Sequence, residues 1–401
     1  MHAGWYVRCG LRTKLIGLKR VQRYATVIAG CLWTIWLVDV CVPGPLDRLG
    51  KVKGTDFLHF YVIGAMAREG RNDLLYDARA QYDRSRAVVP GSDDFYLPVE
   101  SPQTALVVAP LTRYPYTIAL ALWLFAIVVF YACCCWAMWR QSPGLRQYRY
   151  AVAACCIAFP GLYSVVLHGQ TSFLALAALT AALLALRRGW MLTAGLALGV
   201  LVFKPHWLLA ACAVFLAARE WRVVAGAITS AIAQVGITAL AVGTSTMSAY
   251  VGVLRSLPRI APLLEPRSGD SLKSFFAVFV PFEWPALGLY VAAAGATLVI
   301  AARIWRSEAR FEIRFAAVIL ALILICPHVN AYDLIVLCPL YFLLAECFAD
   351  GTFESRRLAL PLLLFASFLS PLLAALPSAI RLQFSVTAMA ATLMVLRSKA
   401  V

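Results

Sequence analysis

From Tyr116 to Trp139 the chain runs 24 residues without an Asp, Glu, Lys, Arg or His. As a helix rising 1.5 Å per residue, such a run covers the roughly 30 Å of hydrocarbon in a bilayer. It is one of twelve apolar segments, at 25–44, 116–139, 150–167, 171–186, 190–203, 206–218, 223–243, 285–302, 315–326, 332–348, 358–376 and 383–396. The composition agrees: 62% of residues are hydrophobic and 14% charged, against roughly 45–50% and about 25% in soluble domains. A cytosolic enzyme, a disordered chain and a coiled coil are excluded. The expected fold is an all-α polytopic membrane protein with about twelve transmembrane helices, in a range of ten to thirteen because several segments are short.

The charge imbalance, 36 Lys and Arg against 20 Asp and Glu, points to nucleic acid in a soluble protein and to loop topology in a membrane protein. Here it follows the loops. Residues 1–24 carry Arg8, Arg12, Lys14, Lys19, Arg20 and Arg23 and are read as a basic cytoplasmic N-terminus. With that end inside, the inner links hold Arg140, Arg146, Arg149, Arg187, Arg188, Arg219, Arg222, Arg303, Arg306, Arg310, Arg314, Arg356, Arg357, Arg397 and Lys399. The long 45–115 loop falls outside, with nine basic residues balanced by nine acids. Nucleic acid is therefore not an expected partner, and membrane lipids are. The first apolar run continues into Val42-Pro43-Gly44-Pro45 with no peptidase site, as in a retained signal anchor. Residues 25–401 are expected to form a single membrane domain. The twelve cysteines lie mostly in apolar segments, as small hydrophobes.

Polar residues without an easy explanation collect on the outer side. Thr55 to Gly70 reads as a helix capped by Thr55, stopped at Gly70, and apolar enough to lie in the membrane interface. Asp56 falls in its first turn, where the helix dipole favours a carboxylate. There it serves either as a helix-end charge or as a proton acceptor. His168 and Gln170 stand at an outer turn. Lys204-Pro205-His206 divides two apolar stretches of about 14 and 13 residues, so a hairpin turning at Lys204 is expected. A lysine at that depth either finds an anionic partner or reaches for head groups. Cys326-Pro327-His328-Val329-Asn330-Ala331-Tyr332-Asp333 reads as a helix broken at a site. In the 244–284 segment, Arg255, Arg259, Arg267 and Lys273 suit a lipid phosphate or anionic head groups generally. A base, a cation and an apolar groove together suit transfer of a group from a lipid-phosphate donor.

These residues fall in the order of a known family. Asp56-Phe57, Tyr61, Gly70, Leu75-Tyr76-Asp77, Tyr96-Leu97-Pro98, Gly169-Gln170, Lys204-Pro205 and His328 with Tyr332 resemble glycosyltransferase family 87. These are polyprenyl-phosphate-mannose-dependent mannosyltransferases of the GT-C class. The resemblance implies a GT-C fold, a lipid-linked sugar-phosphate donor, reaction at the outer leaflet and inversion at the anomeric carbon. It implies that Asp56 is the catalytic carboxylate and His328 the active-site histidine. Donor and substrate binding is expected of Lys204, His206, His168, Gln170, His59, Tyr61, Asn330, Tyr332 and Arg259. The acceptor is expected to be a lipid or cell-envelope glycan, the location the inner membrane, and no obligate protein partner is evident. Tyr96-Leu97-Pro98-Val99 departs from the family's usual aromatic run with paired prolines, and the outer loop near 250–282 is short. Mannose is the best donor assignment, with arabinofuranose open. Asp56 with Asp77, Glu100 or His59 offers oxygen and nitrogen ligands for Mg or Mn, without a spacing that demonstrates a site. The competing class is a lipid-linked saccharide transporter or flippase.

Overall fold

The computed structural model describes residues 3–260, 269–353, 359–375 and 383–400. Helix makes up most of each of the twelve apolar segments where they are described, and no strand is present among the described residues beyond an isolated Leu46–Val52 bridge. Six helices are long and apolar enough to cross a membrane: Lys19–Val40, Tyr116–Arg140, Pro143–His168, Trp221–Val242, Glu283–Trp305 and Ala331–Ala349. Shorter apolar helices lie at Ser172–Arg187, Met191–Phe203, Pro205–Ala217 and Ala359–Leu373. The chain is thus an all-α polytopic membrane protein. The helix holding the first of these spans begins at Ala3, so the basic N-terminal stretch is continuous with it.

The Phe311–Ile325 helix is the centre of the bundle, with every side chain from Phe315 to Ile325 buried. A helix apolar all round needs cover all round, and this one is enclosed by its neighbours. Glycines set the closest crossing. A Cβ on Gly195 would lie 2.0 Å from the Val223 carbonyl, and one on Gly226 would lie 2.3 Å from that of Leu192. The Met191–Gly199 and Trp221–Val242 backbones therefore meet with no side chain between them, as small residues permit in a membrane.

Loops assigned to the inner side join one another at one end. Arg187 donates to the Gln141 carbonyl at 2.7 Å and pairs with Glu312 at 3.0 Å. Trp305 donates to Glu220 at 2.7 Å, Gly144 N–H to Glu346 at 3.0 Å, and Arg310 pairs with Asp350. The 45–115 loop folds, through helices Thr55–Arg68, Ala78–Val88 and Pro102–Val108, against other segments assigned to the outer side. Two local expectations are corrected here. Gly54, in the left-handed region at φ 63°, caps the Thr55–Arg68 helix without a side-chain bond, and Thr55 is its first residue. That helix is not an interfacial one, because Phe57 to Met66 are buried in an unbroken row beneath Pro102–Arg113 and Ala78–Val88. Gly70, at φ 73°, follows its end as expected.

Candidate active site

Asp56 sits at the start of a helix held by Tyr96 and Tyr116, beside a turn that Trp123 holds. Tyr116 Oη donates to the Lys53 carbonyl at 2.6 Å, Tyr96 Oη donates to the Thr55 carbonyl at 2.6 Å, and Trp123 Nε1 donates to the Gly169 carbonyl at 2.7 Å. Phe57 fills the space between, stacked on Trp123 with ring centroids 5.6 Å apart. Gly169, at φ 66°, lets the 160–172 turn approach, since a Cβ there would lie 2.7 Å from that of Phe57. This contact delivers Gln170 to the carboxylate: its Nε2 donates to Asp56 Oδ2 at 2.9 Å. The amide is held in that orientation because its Oε1 accepts from the Thr171 N–H at 2.7 Å and hydroxyl at 3.1 Å. Burial raises the Asp56 pKa above the ordinary carboxylate value, opposed by His168, the Gln170 hydrogen bond and Lys204. The result is an oriented carboxylate of increased basicity.

Lys204 caps the Pro205–Ala217 helix after the Val200–Phe203 turn, so the two apolar stretches are divided there as expected. Its Nζ donates to Asp333 Oδ1 at 2.7 Å and to Ser172 Oγ at 3.0 Å. Ser172 in turn donates to the same Asp333 oxygen at 2.6 Å. Asp333 Oδ2 accepts from the Asn330 N–H at 3.0 Å as half of a capping box that starts the 331–337 turn. Two of the three ammonium protons are thus engaged, leaving one for a ligand. The aromatic face of Tyr332 lies 5.4 Å from Nζ.

The break at 326–330 carries the histidine. Asn330 Nδ2 donates to Tyr332 Oη at 2.6 Å and lies 3.3 Å from His328 Nε2. The His328 ring is 6.2 Å from His206, and its pKa is lowered chiefly by burial, opposed by Asp333 and reinforced by Lys204 and Lys273. The segment is tied down by Asp270 N–H to the Val329 carbonyl at 2.7 Å. His168 Nδ1 bonds the Ser164 carbonyl at 2.8 Å, which makes it the protonated nitrogen, and its ring lies 5.6 Å from Tyr332.

Asp56, Gln170, His168, Lys204, His206, His328, Asn330 and Tyr332 therefore converge, from parts of the chain far apart in sequence. Two expected residues are engaged elsewhere. His59 Nε2 lies 3.0 Å from Gln81 Oε1 and its ring stacks on Tyr96, while Tyr61 donates to the Tyr114 carbonyl at 2.9 Å. The Arg259 side chain and Arg267 lie outside the described residues. Asp333 and Ser172 are site residues that the sequence signals only indirectly, through the anion that a lysine at membrane depth demands and the capping-box spacing of Asn330-x-x-Asp333. The donor set does not fit a divalent cation: Asp77 caps its own helix, His59 is held by Gln81, and the charge of Lys204 acts on both Asp56 and Glu100. Among the described residues no three His, Cys, Asp or Glu are grouped to hold one.

The family model of glycosyltransferase family 87 matches residues 100–327, more than half the chain. Gln170, Ser172, Lys204 and His206 lie within that span; Asp56 precedes it, and His328 to Asp333 follow it. No curated protein and no solved structure matches the chain.

Proposed function

The chain belongs to glycosyltransferase family 87 and is a membrane glycosyltransferase, and from this premise we propose an inverting transfer from a polyprenyl-phosphate donor, with mannose as the sugar. The single observation that carries the proposal is the join of Asp56, through Gln170 two residues before Ser172, to the hydrogen-bonded cluster of Ser172, Lys204 and Asp333. It supports a base acting beside a cation in a chain whose other charges mostly lie in loops. The acceptor is a lipid or cell-envelope glycan at the outer face of the inner membrane, with the basic loops cytoplasmic.

In this mechanism Asp56 takes the proton of the acceptor hydroxyl as that oxygen attacks the anomeric carbon. The bond from that carbon to the phosphate oxygen breaks on the opposite side, so configuration inverts and polyprenyl phosphate leaves. Its negative charge is met by the free proton of Lys204 and by His206, His328 and exposed Lys273. Fixed donors of this kind need no reorganisation as charge develops. Gln170 aims the base, and burial raises its affinity for the proton it must take.

The test is transfer from radiolabelled polyprenyl-phosphate mannose by the purified chain, with identification of the product. Asp56→Asn is expected to remove transfer while leaving folding and donor binding near wild type. Wild-type turnover by this variant would show that Asp56 is not the base.

A further inference from the structure

Glu100 belongs to none of the groups assigned above, yet it lies among them. The charges that act on it are Lys204 first, then Asp56 and Asp333. Its backbone is fixed from two sides. Tyr76 Oη donates to the Glu100 carbonyl at 3.1 Å, and Tyr76 is itself stacked on Tyr250 with centroids 5.6 Å apart. Two residues on, Pro102 opens a helix that packs against the Val200–Phe203 turn leading into Lys204. The half-buried carboxylate has no hydrogen bond or ion pair to protein among the described residues.

The Glu100 oxygens are not among the buried side-chain atoms left without a partner, so they are open to water or to a ligand, and a ligand that displaces the water must supply donors in its place. A phosphate would add a second anion, and a carboxylate accepts hydrogen bonds but cannot bond a bare apolar chain. Hydroxyl groups are neutral donors that can replace that water. Resting on the glycosyl-transfer reading, we propose that Glu100 determines sugar specificity by accepting hydrogen bonds from the hydroxyls of a sugar ring bound between it and Asp56. Burial raises its pKa to about 7, and hydroxyl donors on its oxygens favour the ionised form. The ring of the donor and the ring of a glycan acceptor present the same hydroxyl chemistry, and kinetics separate them.

The test uses the full chain in detergent, as wild type, Glu100→Gln and Glu100→Ala. A polyprenyl-phosphate mannose is the donor probe and octyl mannoside the acceptor probe. Turnover gives KM for each, and tryptophan fluorescence gives Kd for each without turnover. Both variants are expected to keep the wild-type Tm. Loss of a hydrogen bond to a charged group is expected to raise KM and Kd about 10–100-fold for one probe only. A rise confined to the donor assigns the ring to the donor; a rise confined to the acceptor assigns it to the acceptor. Unchanged Kd for both probes in folded Glu100→Gln overturns the proposal, as does a lowered Tm with Kd preserved. Glu100-dependent binding without wild-type turnover sustains the sugar contact and refutes the transfer reading. A wild-type chain that binds neither probe overturns both.

Discussion

Lys204 and Asp333 provide a test that separates holding the fold from handling the substrate. The pair is 2.7 Å apart, with side chains 12% and 3% exposed. Removing one member of a buried pair leaves the other charge uncompensated, at a cost of about 3–5 kcal/mol. Lys204→Met and Asp333→Leu are each expected to lose stability on that scale. Asp333→Leu also strands the Ser172 hydroxyl and the Asn330 N–H, which lose their acceptor. The double variant removes both charges together, and an apolar pair of similar volume recovers most of the loss. Transfer is expected to behave differently: without the Lys204 ammonium, turnover should stay roughly 10²–10³-fold down in the double variant, the scale of one fixed charge-stabilising donor. Stability is read by denaturant titration in micelles and turnover by the radiolabelled-donor assay. Near-wild-type turnover in the stable double variant would refute the reasoning and leave Lys204 as a structural strut. A single variant as stable as wild type would show that the pair does not act as a buried one.

Gln170→Ala removes the one side-chain donor to Asp56 among the described residues and is expected to lower kcat/KM about 10–100-fold, the value of a hydrogen bond to a charged group. Because Asp56 acts ionised and its pKa is raised, kcat/KM should fall as pH drops through a value above the ordinary carboxylate range. In Gln170→Ala that limb should move higher still, because the lost bond had favoured the ionised form; a limb that does not move would separate Gln170 from the base. His59 gives a stability test away from the chemistry. Its pKa is lowered from 6.5 to about 4 by burial, so the stabilisation is complete above pH 6.5 and is lost as pH falls toward 4, by up to about 3 kcal/mol. His59→Phe, which keeps a ring against Tyr96, should flatten the Tm–pH curve over that window.

Much of this arrangement is written locally. The apolar segments are legible because a bilayer accepts only backbones that satisfy themselves, and every described one is helical. The breaks at Lys204 and at 326–330 are equally local, since Pro205 and Pro327 each interrupt an apolar run and the polar residues beside them have no lipid-compatible role. What sequence does not carry is the pairing between breaks. The lysine's need for an anion was legible, but its partner lies 129 positions away, reached only when the 172–187 and 331–337 segments pack together. The Thr55–Arg68 helix shows the same limit from the other side. Its apolar residues suit a membrane interface or a protein interior equally, and the choice falls to Pro102–Arg113 and Ala78–Val88, which cover it. That cover has a chemical consequence. A helix at the interface would leave Asp56 hydrated and ordinary, whereas the enclosed helix raises its pKa and presents it to Gln170. The basicity of Asp56 is therefore a property of the folded loop, and exposing the loop should return it to an ordinary carboxylate.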